Sequence, residues 1–236
     1  MIENQDLIND YAQQSFRFTA DEDYIAARMS YRAGLIEPFL WSSIHAIEKY
    51  LKALLLFNKQ PAKKFGHNIV KLLNAVKEIE ELDLRLPDKA ESFIKYINEF
   101  GENRYFEGAA YLEEYALYSL DEVVWYIRRY CYDRSVYEGY NLRKIEPSDL
   151  EKNPKKYRLP GGLLEKIIKE KSIAYSYLVW DNFFYGDENI ERDDIRKRQS
   201  KFSVINPPLA FFGKEAFDAL KDFVDFSYDT KQYFKE

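Results

Sequence analysis

A strip of polar side chains on one long apolar helix is the part of this sequence best suited to chemistry. With residues placed 100° apart, the segment from Pro38 to about Asn58 has apolar side chains around more than half of its circumference. The remaining wedge holds a histidine, a glutamate and two lysines, namely His45, Glu48, Lys49 and Lys52. A mostly apolar helix that keeps such a strip has either a solvent-facing edge or a binding site there.

Further polar residues that could act on a ligand stand in two predicted loops. His67 and Asn68 follow the long helix, and Arg104 and Tyr105 precede a later one. Arginine offers phosphate a planar, bidentate fork, lysine offers a point charge, and tyrosine offers a ring on which a base can stack. The functional interpretation is that these residues converge with Lys52 at one end of a helical bundle and bind an anionic or nucleotide ligand. No catalytic residue is assigned.

A purely structural interpretation explains some of the same residues. Glu48 and Lys52 are four residues apart in the stabilising order, which contributes about 0.2–0.5 kcal/mol on an exposed helix. His67 follows Gly66 and can close its loop by hydrogen bonding to backbone. His45 and Lys49 have the same spacing, but a protonated histidine there would repel the lysine, and stability does not require that. Both interpretations stay open at this point.

Composition restricts the class of protein. The chain has 236 residues, 46% hydrophobic and 32% charged, with a net charge of −5 that argues against broad adhesion to nucleic acid. Its one cysteine, Cys131, and its two histidines make an internal disulfide impossible and a zinc site improbable, so we expect no metal and no cofactor. No apolar run approaches the roughly 20 residues of a membrane span, and the N-terminus does not resemble a secretory signal. We therefore expect a cytoplasmic protein with no membrane partner.

Helix signals dominate the first part of the chain. Acids after Thr19 predict a helix that opens there and ends at Gly34, and Pro38 opens the long second helix. Connections of this length favour antiparallel neighbours. We predict an all-α fold, an up-and-down antiparallel bundle of about five helices. The predicted ranges after the second helix are Ile69 to about Leu82, Pro87–Phe100 and Ala109 to about Tyr132.

The composition of the chain changes after Tyr132. Glycine, proline and scattered charges predict mostly irregular structure over residues 133–160, followed by helices at Gly162–Phe184 and Lys214–Tyr228. The many aromatic residues are too numerous for disorder. We therefore divide the chain into an N-terminal segment (1–19), a bundle (20–132) and an aromatic-rich, mostly helical C-terminal extension (133–236). We expect the extension to pack on the bundle or on a partner chain.

Four motifs in their order along the chain resemble the HEPN family, named for nucleotide-binding domains of higher eukaryotes and prokaryotes. The motifs are DYIAAR at residues 23–28, HAIEKYLKALLL at 45–56, GHNIVKLL at 66–73 and NRY at 103–105. In that family, a helix reading roughly E-K-x-L-K-A-L-L precedes a loop with H-D or H-N, and a later R-Y precedes the last bundle helix. The resemblance covers about residues 20–132.

The resemblance implies different functions in different branches of the family. Many members look like RNases that carry an arginine, four to six residues and then a histidine. Here Arg32 is the nearest arginine upstream of both His45 and His67, so the motif is absent. Other members accompany a minimal nucleotidyltransferase. Its signature, a Gly-Ser followed by paired aspartates, does not occur in this sequence, so such a partner would be a separate chain.

These observations favour a binding module for a nucleotide, an RNA or a partner protein, as the resemblance suggests for toxin–antitoxin or defence systems. The alternative is a degenerate HEPN ribonuclease that uses His45 or His67 with Arg104. We also predict a homodimer, because the bundle and its aromatic extension offer more apolar surface than a small monomer usually exposes. A separate nucleotidyltransferase or antitoxin chain is a further possible partner.

Overall fold

A computed structural model describes residues 4–101, 110–133, 149, 152–159, 161–186, 191–199, 203–205 and 208–234. The predicted all-α class is confirmed, since helices dominate and the described strands are two three-residue segments paired antiparallel. The helices are α1 (Asn4–Tyr11), α2 (Thr19–Arg32), α3 (Ile36–Phe57), α4 (Ile69–Lys77), α5 (Asp88–Gly101), α6 (Ala116–Arg128), α7 (Leu163–Glu170), α8 (Tyr175–Val179), α9 (Arg192–Arg198), α10 (Pro208–Leu220) and α11 (Tyr228–Tyr233), and the strands are β1 (Ala110–Leu112) and β2 (Ser203–Ile205).

The first helix does not begin at Thr19, so the predicted N-cap there is wrong. A π-helical turn, Ala12–Phe18, joins α1 to α2, and Phe18 itself has right-handed helical dihedral angles. The Thr19 hydroxyl donates back to the Ser15 carbonyl at 2.7 Å, as it does inside a helix. Helical structure therefore runs from Asn4 to Arg32. Its end at Gly34, in the left-handed region, is as predicted.

Helix α3 lies at the centre of the bundle and packs against α2, α4, α5 and α6. It begins after Leu35, and the residue at its C-terminal end is Asn58, as the sequence predicted. Lys59 then adopts a left-handed conformation, and the Gln60 amide donates to the Leu55 carbonyl at 2.8 Å, which ends the helix. This sharp end starts the loop that carries His67.

Several later boundaries differ from the predictions. Helix α4 stops at Lys77 rather than Leu82, while α5 agrees with its predicted range to within one residue. The predicted fifth helix is interrupted, because β1 pairs with β2 and Tyr115 is left-handed, so α6 begins only at Ala116. The predicted helix over 162–184 is divided into α7 and α8, with left-handed Lys171 at the end of α7.

Helices α7 and α8 pack on the bundle through two buried arginines. The Arg128 guanidinium, fully buried, contacts the Asp21 carboxylate at 2.6 and 2.9 Å and the Glu165 carboxylate at 2.8 Å twice. Arg28 pairs with buried Asp121 and donates to two backbone carbonyls around α8. These contacts join the bundle and part of the extension in one core.

The C-terminal helices form a smaller apolar cluster of their own, built on Leu209, Ala216, Phe217 and Phe226. Helix α10 bends at Gly213, whose φ of 52° lies in the left-handed region. No helix within the described ranges has both the length and the apolar composition of a membrane span.

Candidate functional site

Glu48 is the centre of the polar strip on α3. Its carboxylate accepts a hydrogen bond from the Lys52 ammonium at 2.5 Å, one helical turn further on. Both carboxylate oxygens also lie 3.2 Å from Nδ1 of His67, which comes from the loop before α4. Only 7% of the Glu48 side chain is exposed, whereas 67% of the His67 side chain is. A buried carboxylate thus contacts one largely buried ammonium group and one exposed imidazole, since 18% of the Lys52 side chain is exposed.

The carboxylate fixes the orientation of the imidazole. An ionised glutamate only accepts hydrogen bonds, so this contact favours the His67 tautomer whose Nδ1 carries a proton and donates it to Glu48. Nε2, on the opposite side of the ring, is then left for a ligand. This Nε2 atom accepts a hydrogen bond when the His67 ring is neutral and donates one when the ring is protonated. This arrangement resembles the carboxylate–histidine pairs that orient a general base in hydrolytic sites.

The backbone around His67 positions the ring. Gly66 has a φ of 56°, a conformation that residues with a Cβ adopt only with strain. Asn68 is the N-cap of α4, and its side chain accepts a hydrogen bond from the Lys71 amide at 2.9 Å. The Asn98 side chain on α5 accepts another from the Ile69 amide at 2.9 Å. Asn68 is therefore a structural cap, and the start of α4 is tied down on both sides of the site.

His45 and Lys49 do not join the Glu48 cluster. The His45 ring stacks on Trp41, with centroids 5.5 Å apart and planes inclined by 17°. Lys49 instead pairs with Asp23 on α2 at 2.6 Å. The predicted strip therefore separates into Glu48 and Lys52, which contact each other and His67, and His45 and Lys49, which have other partners.

Arg104 and Tyr105 lie outside the residues that the structure describes. Their convergence with Lys52 and His67 stays a prediction. The contact of Lys52 and His67 with one carboxylate brings together two residues 15 positions apart in sequence. This agrees with the prediction that the end of α3 and the start of α4 lie at the same end of the bundle.

The loop from 58 to 68 supplies positive charge that we did not assign to the site from sequence. It contains Lys59, Lys63 and Lys64, all exposed, and no acidic residue. Lys64 lines a polar cleft with Glu78, Glu80 and Glu81, so its charge is partly offset. Lys63 lies on the other side, beside Lys52, along an apolar groove. The sequence signal for this positive charge was a run with three lysines and no acidic residue between α3 and His67.

Other reactive groups offer no second site among the described residues. No cluster of three or more histidine, cysteine or acidic side chains with metal-binding geometry occurs there. Cys131 is fully buried, its thiol donates to the Tyr50 carbonyl at 3.5 Å, and burial raises its pKa well above the usual value. A buried thiol of this kind is a core residue rather than a nucleophile.

In a comparison with protein families, residues 14–124 match the model of the HEPN domain. The matched range includes α2 to α5, most of α6, and the whole Glu48–Lys52–His67 group. Searches of curated proteins and of solved structures gave no match.

Proposed function

Because residues 14–124 form a HEPN domain, we propose that this chain is a binding module for a nucleotide or RNA, with a phosphate group held at Lys52 and His67. HEPN domains are nucleotide-binding or RNase-type modules, and the ligand would occupy the space in front of the outward-facing imidazole. In this proposal Glu48 is a positioning residue that holds the Lys52 ammonium and the His67 imidazole.

The observation that carries the proposal is the contact of the buried Glu48 carboxylate with an exposed histidine. Burying a carboxylate costs free energy unless cations or donors pair with it. Lys52 already pairs with Glu48, so compensation alone does not require an exposed histidine from a loop. Lys52 uses one of its three N–H donors on Glu48 and keeps others for a ligand. An ammonium and an imidazole that share one buried carboxylate make a compact pair of donors for phosphate.

The surrounding charge supports an anionic ligand. Lys59 and Lys63 have no ion pair in the described part of the chain, and both are exposed in the loop that carries His67. Positive charge there offsets Glu48 and attracts phosphate locally, although the whole chain is acidic. Because the attraction is local, we expect affinity for a nucleotide or a short RNA rather than for duplex nucleic acid in general.

The test is a fluorescence anisotropy titration of a labelled single-stranded RNA and a labelled adenine nucleotide. His67→Ala and Lys52→Ala should each weaken binding of one of these ligands by roughly tenfold or more, as expected for a lost hydrogen bond to a charged group. His45→Ala and Lys49→Ala are matched controls on the same helix and should change the affinity much less. Equal losses in both pairs of variants, or no binding by the unmodified chain, would contradict the proposal.

A second function, RNA cleavage, is favoured by one observation. The Glu48–His67 contact is the geometry that prepares an imidazole as general base, whereas no carboxylate in the described ranges pairs with His45 in this way. The family's arginine-to-histidine spacing is nevertheless missing. We therefore expect no cleavage of single-stranded RNA above background. Cleavage that disappears in His67→Ala but persists in His45→Ala would replace the binding proposal with the degenerate-ribonuclease alternative.

We further propose that the chain acts in the cytoplasm as a homodimer, with an antitoxin or nucleotidyltransferase as a possible separate partner. Exposed aromatic side chains on the C-terminal segment support self-association, namely Phe211, Phe212, Phe223, Tyr228 and Tyr233. Light scattering at micromolar concentration should report about twice the 28.2 kDa chain mass. A monomeric mass at that concentration would remove the homodimer from the proposal.

A further inference from the structure

An apolar groove runs beside the Glu48 group and belongs to no function described above. Its volume is about 530 Å³, within the range of about 300–1,000 Å³ typical of small-molecule sites. Helix α1, the π-helical turn, the end of α3 and the following loop form its walls. The lining residues are Leu7, Ile8, Tyr11, Phe16, Lys52, Leu56, Pro61, Ala62 and Lys63.

The groove is open because α1 does not bury its apolar side chains. None of the α1 residues is buried, and Leu7, Ile8 and Tyr11 are 54%, 38% and 57% exposed. These three side chains face α3 across the groove instead of filling it. Isolated exposed apolar residues are ordinary, but three that line one concave surface together with Leu56 and Phe16 form a surface that a ligand can cover.

The π-helical turn beside the groove supports a binding function for the groove. Ala12–Phe18 has wider helical turns than the α-helices on either side, and Phe16 from this turn forms part of the groove wall. Such turns are rare and occur frequently at functional sites. Tyr11 and Phe16 meet edge to face, with centroids 5.6 Å apart, which fixes the aromatic end of the groove.

The lining decides which ligand fits. Aliphatic carbons dominate it, and apart from the Tyr11 hydroxyl its side-chain polar groups are two ammonium groups, those of Lys52 and Lys63. A nucleobase needs partners for its polar edges, and this lining offers too few of them. A hydrocarbon chain needs none, and a carboxylate at its end would complement the two lysines. Lysine stems also pack well against hydrocarbon while the charged groups stay in water.

We propose that this groove binds an anionic amphiphile, with a linear hydrocarbon chain between α1 and α3 and an acidic head group at Lys52 and Lys63. This site goes beyond the nucleotide or RNA site proposed above, although both use Lys52. An occupant of the groove would cover the exposed side chains of α1 and place its negative charge next to the Glu48 group. Binding of an amphiphile and of a phosphate ligand would then compete for one ammonium group.

The experiment is a calorimetric titration of the full chain with octanoate, decanoate and dodecanoate below their micellar concentrations. Each added methylene should tighten binding by roughly fourfold until the groove is filled. Dodecyltrimethylammonium, with the same chain and the opposite charge, should bind at least tenfold more weakly than dodecanoate. Affinity that does not depend on chain length, or equal affinity for the two charges, would overturn the proposal.

Two variants locate the site. Lys63→Met changes an exposed loop residue, so folding is preserved, and it should weaken dodecanoate binding severalfold without weakening dodecanol binding. Ala62→Trp should fill the groove and abolish binding of both. Lys49→Met is the matched control, because Lys49 pairs with Asp23 and does not line the groove, and it should leave the dodecanoate affinity unchanged. Unchanged affinity in Lys63→Met and Ala62→Trp would show that the amphiphile binds elsewhere. Absence of dodecanoate binding by the unmodified chain would also overturn the proposal.

Discussion

Replacing Arg128 by methionine should destabilise the chain more than almost any other single change in the bundle. The Arg128 guanidinium makes two contacts with Asp21 and two with Glu165, and neither the Arg128 nor the Asp21 side chain has exposed area. Methionine fills a similar volume but, of the hydrogen-bond partners that Asp21 has within the described residues, leaves the Tyr50 hydroxyl at 2.5 Å. Removing one partner of a buried ion pair costs about 3–5 kcal/mol, a large share of a typical unfolding free energy of about 5–15 kcal/mol.

Urea unfolding followed by tryptophan fluorescence measures this loss as a shift of the midpoint. Glu165→Gln is the matched control, because Glu165 is partly exposed and Arg128 keeps Asp21 as a partner, so we expect a loss of only about 1 kcal/mol. Adding Asp21→Asn to Arg128→Met should recover part of the loss, since it removes the uncompensated charge. A loss below about 1 kcal/mol in Arg128→Met would refute the view that this pair is buried and joins α2, α6 and α7.

Three further predictions concern other parts of the chain. In Gly162→Ala the new Cβ would occupy the place of the Arg128 guanidinium, so thermal unfolding should show a loss of about 1–3 kcal/mol. Burial raises the pKa of Tyr185, so its contribution to stability is complete below the unfolded tyrosine pKa of about 10 and is lost as the pH rises above it. Tyr185→Phe should therefore reduce the alkaline loss, measured by urea titrations at several pH values, by about 1.4 kcal/mol per pH unit, and an unchanged slope would contradict this. Gly66→Ala should cost about 1 kcal/mol from backbone strain alone, because open space surrounds its Cβ position, and a stability equal to that of the unmodified chain would contradict the strain.

The sequence predicts those parts of the fold that depend on local signals. Helix α3 follows from a long run of apolar residues with helical spacing, and the start of α4 follows from an asparagine cap. The predicted start at Thr19 failed because the apparent cap lies within a longer helix, where the hydroxyl bonds to the preceding turn. A threonine followed by acids has the same sequence pattern in both cases.

Features that depend on distant residues were not predictable from local patterns. Strand β1 forms because Ala110–Leu112 pairs with Ser203–Ile205, far along the chain, and this pairing replaces the start of a predicted helix. The burial of Arg28 and Arg128 likewise depends on carboxylates that other helices supply. Composition cannot distinguish these arginines from exposed ones.

The candidate site was predictable in part for the same reason. Helical spacing alone puts Glu48 beside Lys52, and the bundle topology suggested that the loop histidine returns to them. Helical spacing also grouped His45 and Lys49 with the site, although α2 supplies Asp23 to pair with Lys49. The neighbouring helix decides which residues of the polar strip are paired and which stay available to a ligand. The sequence of the strip does not contain that information.

The most direct test of the phosphate site is an NMR titration of the histidine rings with an adenine nucleotide. The chain has only two histidines, so a spectrum of the His67→Ala variant assigns both ring signals. We expect the His67 signal to shift in a saturable manner and the His45 signal, from the ring stacked on Trp41, to stay in place. A shift of His45 alone, or no shift of either ring at saturating nucleotide, would contradict the assignment of Glu48, Lys52 and His67 as the binding site.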